Sequence, residues 1–189
     1  TPGKSMKHVI AVNISEDIGD YAFDLAKYAC LQFNRTADFL NGDSTAIYSY
    51  NTNLFVNQSF TNRKTLLDTA VGKITERFGG SVLDSLFFAS PGGIFKIEDT
   101  DELNLTILTD GEDAGDYSKI REFLASSGVR VNVIVLVGKA NPELRYLAEV
   151  SGGRLFEKIN GEKQINEAVA IIRNIACFEE AGHISFMSQ

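Results

Sequence analysis

The sequence predicts an α/β domain: a doubly wound, mainly parallel central sheet with one antiparallel edge strand and helices on both faces. Three observations predict it. Short apolar, β-branched runs at residues 8–14, 103–109 and 129–137 have the character of strands buried on both faces. Between them lie stretches whose apolar residues recur at helical spacing. Gly, Asn, Asp and Pro punctuate the junctions. Strands alternating with helices call for right-handed crossovers and a parallel sheet covered on both sides.

In chain order, the first strand (HVIAVNI) is followed by Gly19-Asp20, where Asp20 is a candidate N-cap. The helix it opens, over 21–33, carries Ala22, Leu25, Ala26, Ala29, Cys30 and Phe33 on one face. Turn signals fill 34–43. Residues 44–50 and 54–60, separated by Asn51-Thr52-Asn53, predict a β-hairpin, the one antiparallel element expected. Helical spacing returns over 63–78 and stops at Gly79-Gly80, with Ser81 placed to cap a short helix over 82–89. Ser90-Pro91-Gly92-Gly93 is a turn, and 98–102 is an acidic loop.

The strand at 103–109 ends on Asp110-Gly111. An amphipathic helix over 117–127 closes at Gly128 and feeds the strand at 129–137. Pro142 starts a helix that Gly152-Gly153 ends, 155–159 is a last short strand, and 165–178 reads as a final long helix. The expected organisation is a tail over 1–7, one domain over 8–178 and an expendable tail over 179–189.

A chain of 189 residues with 44% hydrophobic and 23% charged content is ordinary for a soluble single domain. A formal net charge of -7 with scattered basic residues argues against a nucleic-acid surface and favours cations or basic partners. No stretch approaches the roughly 18 apolar residues of a membrane helix, and no signal peptide is visible. Two cysteines, Cys30 and Cys177, are too few for a zinc site and assign no compartment. Pro2-Gly3-Lys4-Ser5 echoes a phosphate loop but lacks the preceding glycine and strand. The spacing of Glu98, Asp99, Asp101 and Glu102 matches no EF-hand. The triplets at Asn34 and Asn57 fit the glycosylation pattern, which matters only for a protein secreted by a eukaryote.

In an open α/β sheet, ligands bind beyond the carboxyl ends of the strands. Two such ends carry oxygen-bearing side chains: Asn13-Ile14-Ser15-Glu16-Asp17 and Thr109-Asp110-Gly111-Glu112-Asp113. Oxygen ligands converging from separate loops suit a hard cation such as Mg²⁺. The segments LTILTDGED (105–113), 128–137 and ELRYLAEVSGGRLF (143–156) resemble the second half of a von Willebrand factor A domain. NRKTLLDTAVGKITERFGGSVLDS (62–85) is similar to that family's helix and Gly-Gly-Thr loop. The similarity runs over about nine-tenths of the chain.

The resemblance implies a metal-ion-dependent adhesion site made of an Asp-x-Ser-x-Ser loop, a Thr and a further Asp. Here the leading Asp is Asn13, the middle Ser is kept as Ser15, and the last Ser is Asp17. The Thr position falls on Ser81 or, in the other alignment, on Gly80; the further Asp is kept as Asp110. Loss of the leading carboxylate weakens cation binding, although Asp17 supplies another. The alternative role of Ser15, Asp17 and Asp110 is to cap helices and bond loop amides.

The resemblance also places the first and last helices side by side, so Cys30 and Cys177 are either two buried thiols or a bridge. The function it implies is a protein–protein interaction module, for adhesion or as a scaffold. Its site would be Asn13, Ser15, Asp17, Ser81 and Asp110, with Mg²⁺ or another divalent cation as candidate cofactor. The partner protein would meet Glu16, Gly80, Glu112 and Asp113. Two alternatives stand beside it. One is a metal-dependent phosphoryl-transfer or hydrolytic enzyme using Asp110 or Asp17, against which no nucleotide loop, base or neighbouring Lys is evident. The other is a metal-independent regulatory subunit of a larger complex.

Overall fold

The computed structural model describes residues 5–100, 103–180 and 183–188, with side chains described up to residue 175. The phosphate-loop echo at 2–5 therefore lies largely outside the described residues, as do Asp101 and Glu102 of the acidic loop and the side chain of Cys177.

Each apolar run forms a strand. β1 (Lys7–Asn13), β2 (Ser44–Tyr50), β4 (Leu103–Thr109), β5 (Arg130–Leu136) and β6 (Leu155–Ile159) are parallel, and β3 (Leu54–Thr61) pairs antiparallel with β2. The sheet order is β3-β2-β1-β4-β5-β6. The order in which successive strands are added to the sheet reverses between the parallel neighbours β1 and β4, whose paired positions include Val12 beside Leu108.

The period-2 alternation of side chains divides the core in two. Ile10 and Val12 face α1 (Asp20–Thr36), α2 (Lys64–Gly72) and α6 (Glu162–Arg173). Val9 and Ala11 face α3 (Asp84–Phe88), α4 (Ser118–Ser126) and α5 (Pro142–Val150). Both faces of the central strands are covered, which is why these strands read as continuous apolar runs rather than alternating ones.

Four boundaries differ from the sequence expectation, each for a local reason. Asp20 is the first residue of α1 rather than its cap; Gly19 occupies the cap position, and the Asp20 carboxylate pairs with Arg77 at 2.5 Å. Helix α2 ends at Gly72 instead of running to 78. Beyond it the backbone is drawn onto the strand ends, where Phe78 N–H donates to the Ile14 carbonyl at 2.9 Å and Asn51 Nδ2 donates to the Phe78 carbonyl at 2.7 Å. Ile74 keeps its apolar spacing and is buried without being helical.

Ser81 caps no helix: α3 starts at Asp84 with Leu83 in the cap position and no side-chain cap bond. The final helix ends at Arg173, because Asn174 adopts the left-handed conformation (φ 57, ψ 48) and its N–H closes onto the Ala170 and Ile171 carbonyls. The chain then enters a two-stranded antiparallel arm, β7 (Ile175–Glu180) with β8 (His183–Ser188). The expected continuation of the helix through 178 is replaced by this arm.

Helices α1 and α6 lie side by side, joined by Tyr28 Oη donating to Asn166 Oδ1 at 2.8 Å. Cys30 is a buried free thiol on α1.

Candidate functional site

The carboxyl ends of β1 and β4 meet at the sheet's switch point, and three loops gather there. The β1–α1 loop (14–19) is tied to the loop before α3 by Glu16 N–H donating to the Gly79 carbonyl at 2.9 Å. That second loop is tied to the β4–α4 loop (110–117) by Ala114 N–H donating to the Ser81 carbonyl at 2.9 Å. A fourth segment joins where Asn141 N–H meets the Gly111 carbonyl at 3.2 Å, while the Asn141 side chain caps α5 through Leu144 N–H.

Side chains fasten the same loops. Asn13 is fully buried, and its Oδ1 accepts from Ser15 N–H at 2.9 Å. That bond fixes which way the amide faces, so Nδ2 donates to Ser81 Oγ at 3.0 Å and to Thr109 Oγ1 at 3.1 Å. The Ser81 hydroxyl in turn donates a hydrogen bond to Asp113 Oδ1 at 2.6 Å. Asp113 Oδ2 accepts from Leu83 N–H at 3.2 Å, Gly115 N–H at 2.9 Å and the Tyr117 hydroxyl at 2.9 Å. One carboxylate thus collects four donors from two loops and the start of α4.

Two glycines are required by this arrangement. Gly111 has φ +93, and a Cβ there would lie 2.1 Å from the Lys139 carbonyl oxygen. At Gly115 a Cβ would sit 2.5 Å from Asp84 Oδ1 and 2.8 Å from Asp113 Oδ2, so only glycine lets the loop close over both carboxylates.

Electrostatics follow the burial. The Tyr50 hydroxyl, buried beneath the site against Thr109, is held well above the usual tyrosine range by burial and then by the Asp113 charge. Tyr117 is raised by burial, with Asp113 adding to the effect. The Asp84 carboxyl is pushed up by partial burial, partly offset by backbone N–H donors including that of Asp116.

The structure brings Asn13, Ser15 and Ser81 together as buried neighbours. Asp110 stands half-buried at the rim, accepting from Glu112 N–H at 3.1 Å. Glu16, Asp17, Gly80 and Glu112 are exposed around it. Of the two alignments for the family's Thr position, Ser81 is the one with a hydroxyl beside Asn13. Asp113, expected to face a partner, is also the internal hub.

Sequence reading passed over Tyr117 and Asn51 as members of the site. Their signals were the aromatic four residues beyond Asp113 and the Asn opening a hairpin turn.

The residues present do not fit a divalent cation at the position the resemblance implies. Where a carboxylate oxygen would face Ser81, Asn13 presents N–H donors.

No family model matches the chain, and no curated protein matches it in sequence. Solved structures do. The chain is similar to an aerotolerance-related membrane protein from Bacteroides fragilis, at 15% identity and a TM-score of 0.65, with 90% of this chain and 98% of that one covered. A von Willebrand factor type A structure from Catenulispora acidiphila matches at 18% identity and a TM-score of 0.66, over 88% of this chain and 41% of that one. Proximal thread matrix protein 1 from the mussel byssus matches at 16% identity and a TM-score of 0.70, over 89% of this chain and 46% of that one. The chain has the von Willebrand factor A-like fold. Among the described residues no helix is long and apolar enough to cross a membrane.

Proposed function

We propose that the chain is a protein–protein interaction module whose partner docks on the edge formed by residues 13–19, 79–81 and 110–116. The observation that supports this reading is the stitching of three loops, far apart in sequence, into one rim. Their backbones are fixed by hydrogen bonds while Glu16, Asp17, Gly80 and Glu112 stay exposed. A fixed rim loses little conformational entropy when a partner binds, which favours affinity.

The rim's chemistry favours a partner with basic side chains. Glu16, Asp17, Glu112 and Asp116 are exposed there, and the chain as a whole carries a formal charge of -7. The mussel protein shows that a similar fold occurs in a matrix protein, consistent with an assembly role. An enzymatic reading gains no support from His8, which lies at the opposite, amino end of the sheet, buried against Thr106.

The test is quantitative capture of binding proteins by immobilised domain. Wild type is compared with Glu16→Lys and Glu112→Lys on the rim, and with Glu122→Lys, exposed on α4. Proteins retained by wild type and Glu122→Lys but lost from both rim variants support the edge. Equal retention by all forms overturns it.

A further inference from the structure

We propose that the Asn13 carboxamide takes the place of a bound cation, so that the rim loops are held in one arrangement independently of divalent metal. The argument counts lone pairs. A hard cation needs oxygen lone pairs directed at a common point. At this position Ser81 Oγ accepts from Asn13 and spends its proton on Asp113, while Thr109 Oγ1 accepts from both Asn13 Nδ2 and Gly111 N–H, each at 3.1 Å.

The Asn13 oxygen is occupied by Ser15 N–H at 2.9 Å. One amide hydrogen therefore points at the Ser81 oxygen a cation would need and the other at Thr109 Oγ1, and the buried amide cannot turn over without stranding Ser15 N–H against its own nitrogen. What a cation supplies to such a site is a positive centre joining oxygens from separate loops. Here the amide joins the β1 end, the loop before α3 and the β4 end with donor hydrogens instead. Asp113 ends the chain of hydrogen bonds, and four donors stabilise its carboxylate in place.

The single-atom nature of the difference makes the inference testable. Asn13→Asp exchanges the donor nitrogen for an acceptor oxygen of nearly the same size, leaving Ser81 and Thr109 facing a carboxylate. The experiment is Mn²⁺ binding by electron paramagnetic resonance, alongside thermal melts of metal-stripped protein titrated with Mg²⁺ or Mn²⁺.

The expected result is no bound Mn²⁺ and an unchanged melting temperature for wild type. Asn13→Asp is expected to bind Mn²⁺ saturably, with a melting temperature that rises as the metal is added. Saturable Mn²⁺ binding by wild type that Asp110→Ala abolishes would overturn the proposal. So would a folded Asn13→Asp that binds no metal, because the amide would then not be what excludes it. The wild-type arm requires no variant to fold. Neither arm involves a partner, so failure here is separate from failure of the docking edge.

Discussion

The Ser81 hydroxyl donates to Asp113 Oδ1 at 2.6 Å, and this bond spans 32 residues to join two loops that share no secondary structure. It is short and charge-assisted, in the class worth about 1.5–3 kcal/mol. Removing the acceptor also strands Tyr117 Oη and the N–H groups of Leu83 and Gly115. Asp113→Ala is therefore expected to destabilise the fold by about 3 kcal/mol and Ser81→Ala by about 2 kcal/mol. Because the two share a bond, the double variant should cost less than the sum, with a coupling of about 1 kcal/mol in urea denaturation. Additive losses would show that the bond is not formed in solution.

Gly111 gives a sharper local test. With φ +93 and a Cβ position 2.1 Å from the Lys139 carbonyl oxygen, Gly111→Ala must displace backbone as well as strain it. A loss of at least about 2 kcal/mol is expected. The damage should extend to the loop after β5, through the Asn141 N–H bond to the Gly111 carbonyl. Hydrogen exchange at Asn141 and Leu144 reads this directly; protection equal to wild type would contradict it.

His8 sets an acid limit to stability. Its ring is fully buried, with Nε2 2.7 Å from Thr106 Oγ1 and its edge against Phe33. Burial first, and the Arg173 charge second, hold its pKa well below 6.5. Arg173 itself is buried, pairs with Asp43 at 3.8 Å and is lowered to about 10 by burial. The sign follows from proton uptake: below the ordinary histidine value the unfolded chain takes a proton that the folded chain refuses. Nothing is lost above that pH. As pH falls through about 6.5, stability drops by up to about 1.4 kcal/mol per unit until the folded-state value is reached. Urea midpoints between about pH 7.5 and 5 should show this slope for wild type and a flatter one for His8→Gln. Identical slopes would assign the acid loss to other groups.

Much of this architecture was legible because burial on both faces leaves a plain signature. The runs at 8–14, 103–109 and 129–137 contain few polar residues, and each became a central strand. That Asn13, Ser15 and Ser81 lie close together was also legible, from the resemblance. What sequence order cannot carry is the direction of a hydrogen bond. That Asn13 turns its nitrogen toward Ser81 is decided by Ser15 N–H, two residues away, and that Asp113 is saturated is decided by a loop about 30 residues earlier. Helix ends failed for a related reason. The apolar spacing of Leu67, Ala70, Val71 and Ile74 continues past Gly72, yet the backbone leaves the helix to bond Ile14 and Asn51.

The end of α6 gives the last prediction. Residues beyond 173 keep apolar character, so periodicity alone extends the helix, and the stop lies in one backbone conformation at Asn174. Asparagine tolerates the left-handed region better than other non-glycine residues, whereas a Cβ without a short polar group costs about 1–2 kcal/mol there. Asn174→Gly should leave stability within about 0.5 kcal/mol of wild type, and Asn174→Ala should lower it by about 1 kcal/mol. If the helix instead ran on through 178, position 174 would be interior. Alanine would then stabilise by about 0.6 kcal/mol, and glycine would fall about 1 kcal/mol below alanine. The ranking of the two variants reverses between the alternatives, so thermal denaturation of the pair distinguishes a capped helix followed by a strand from one continuous helix.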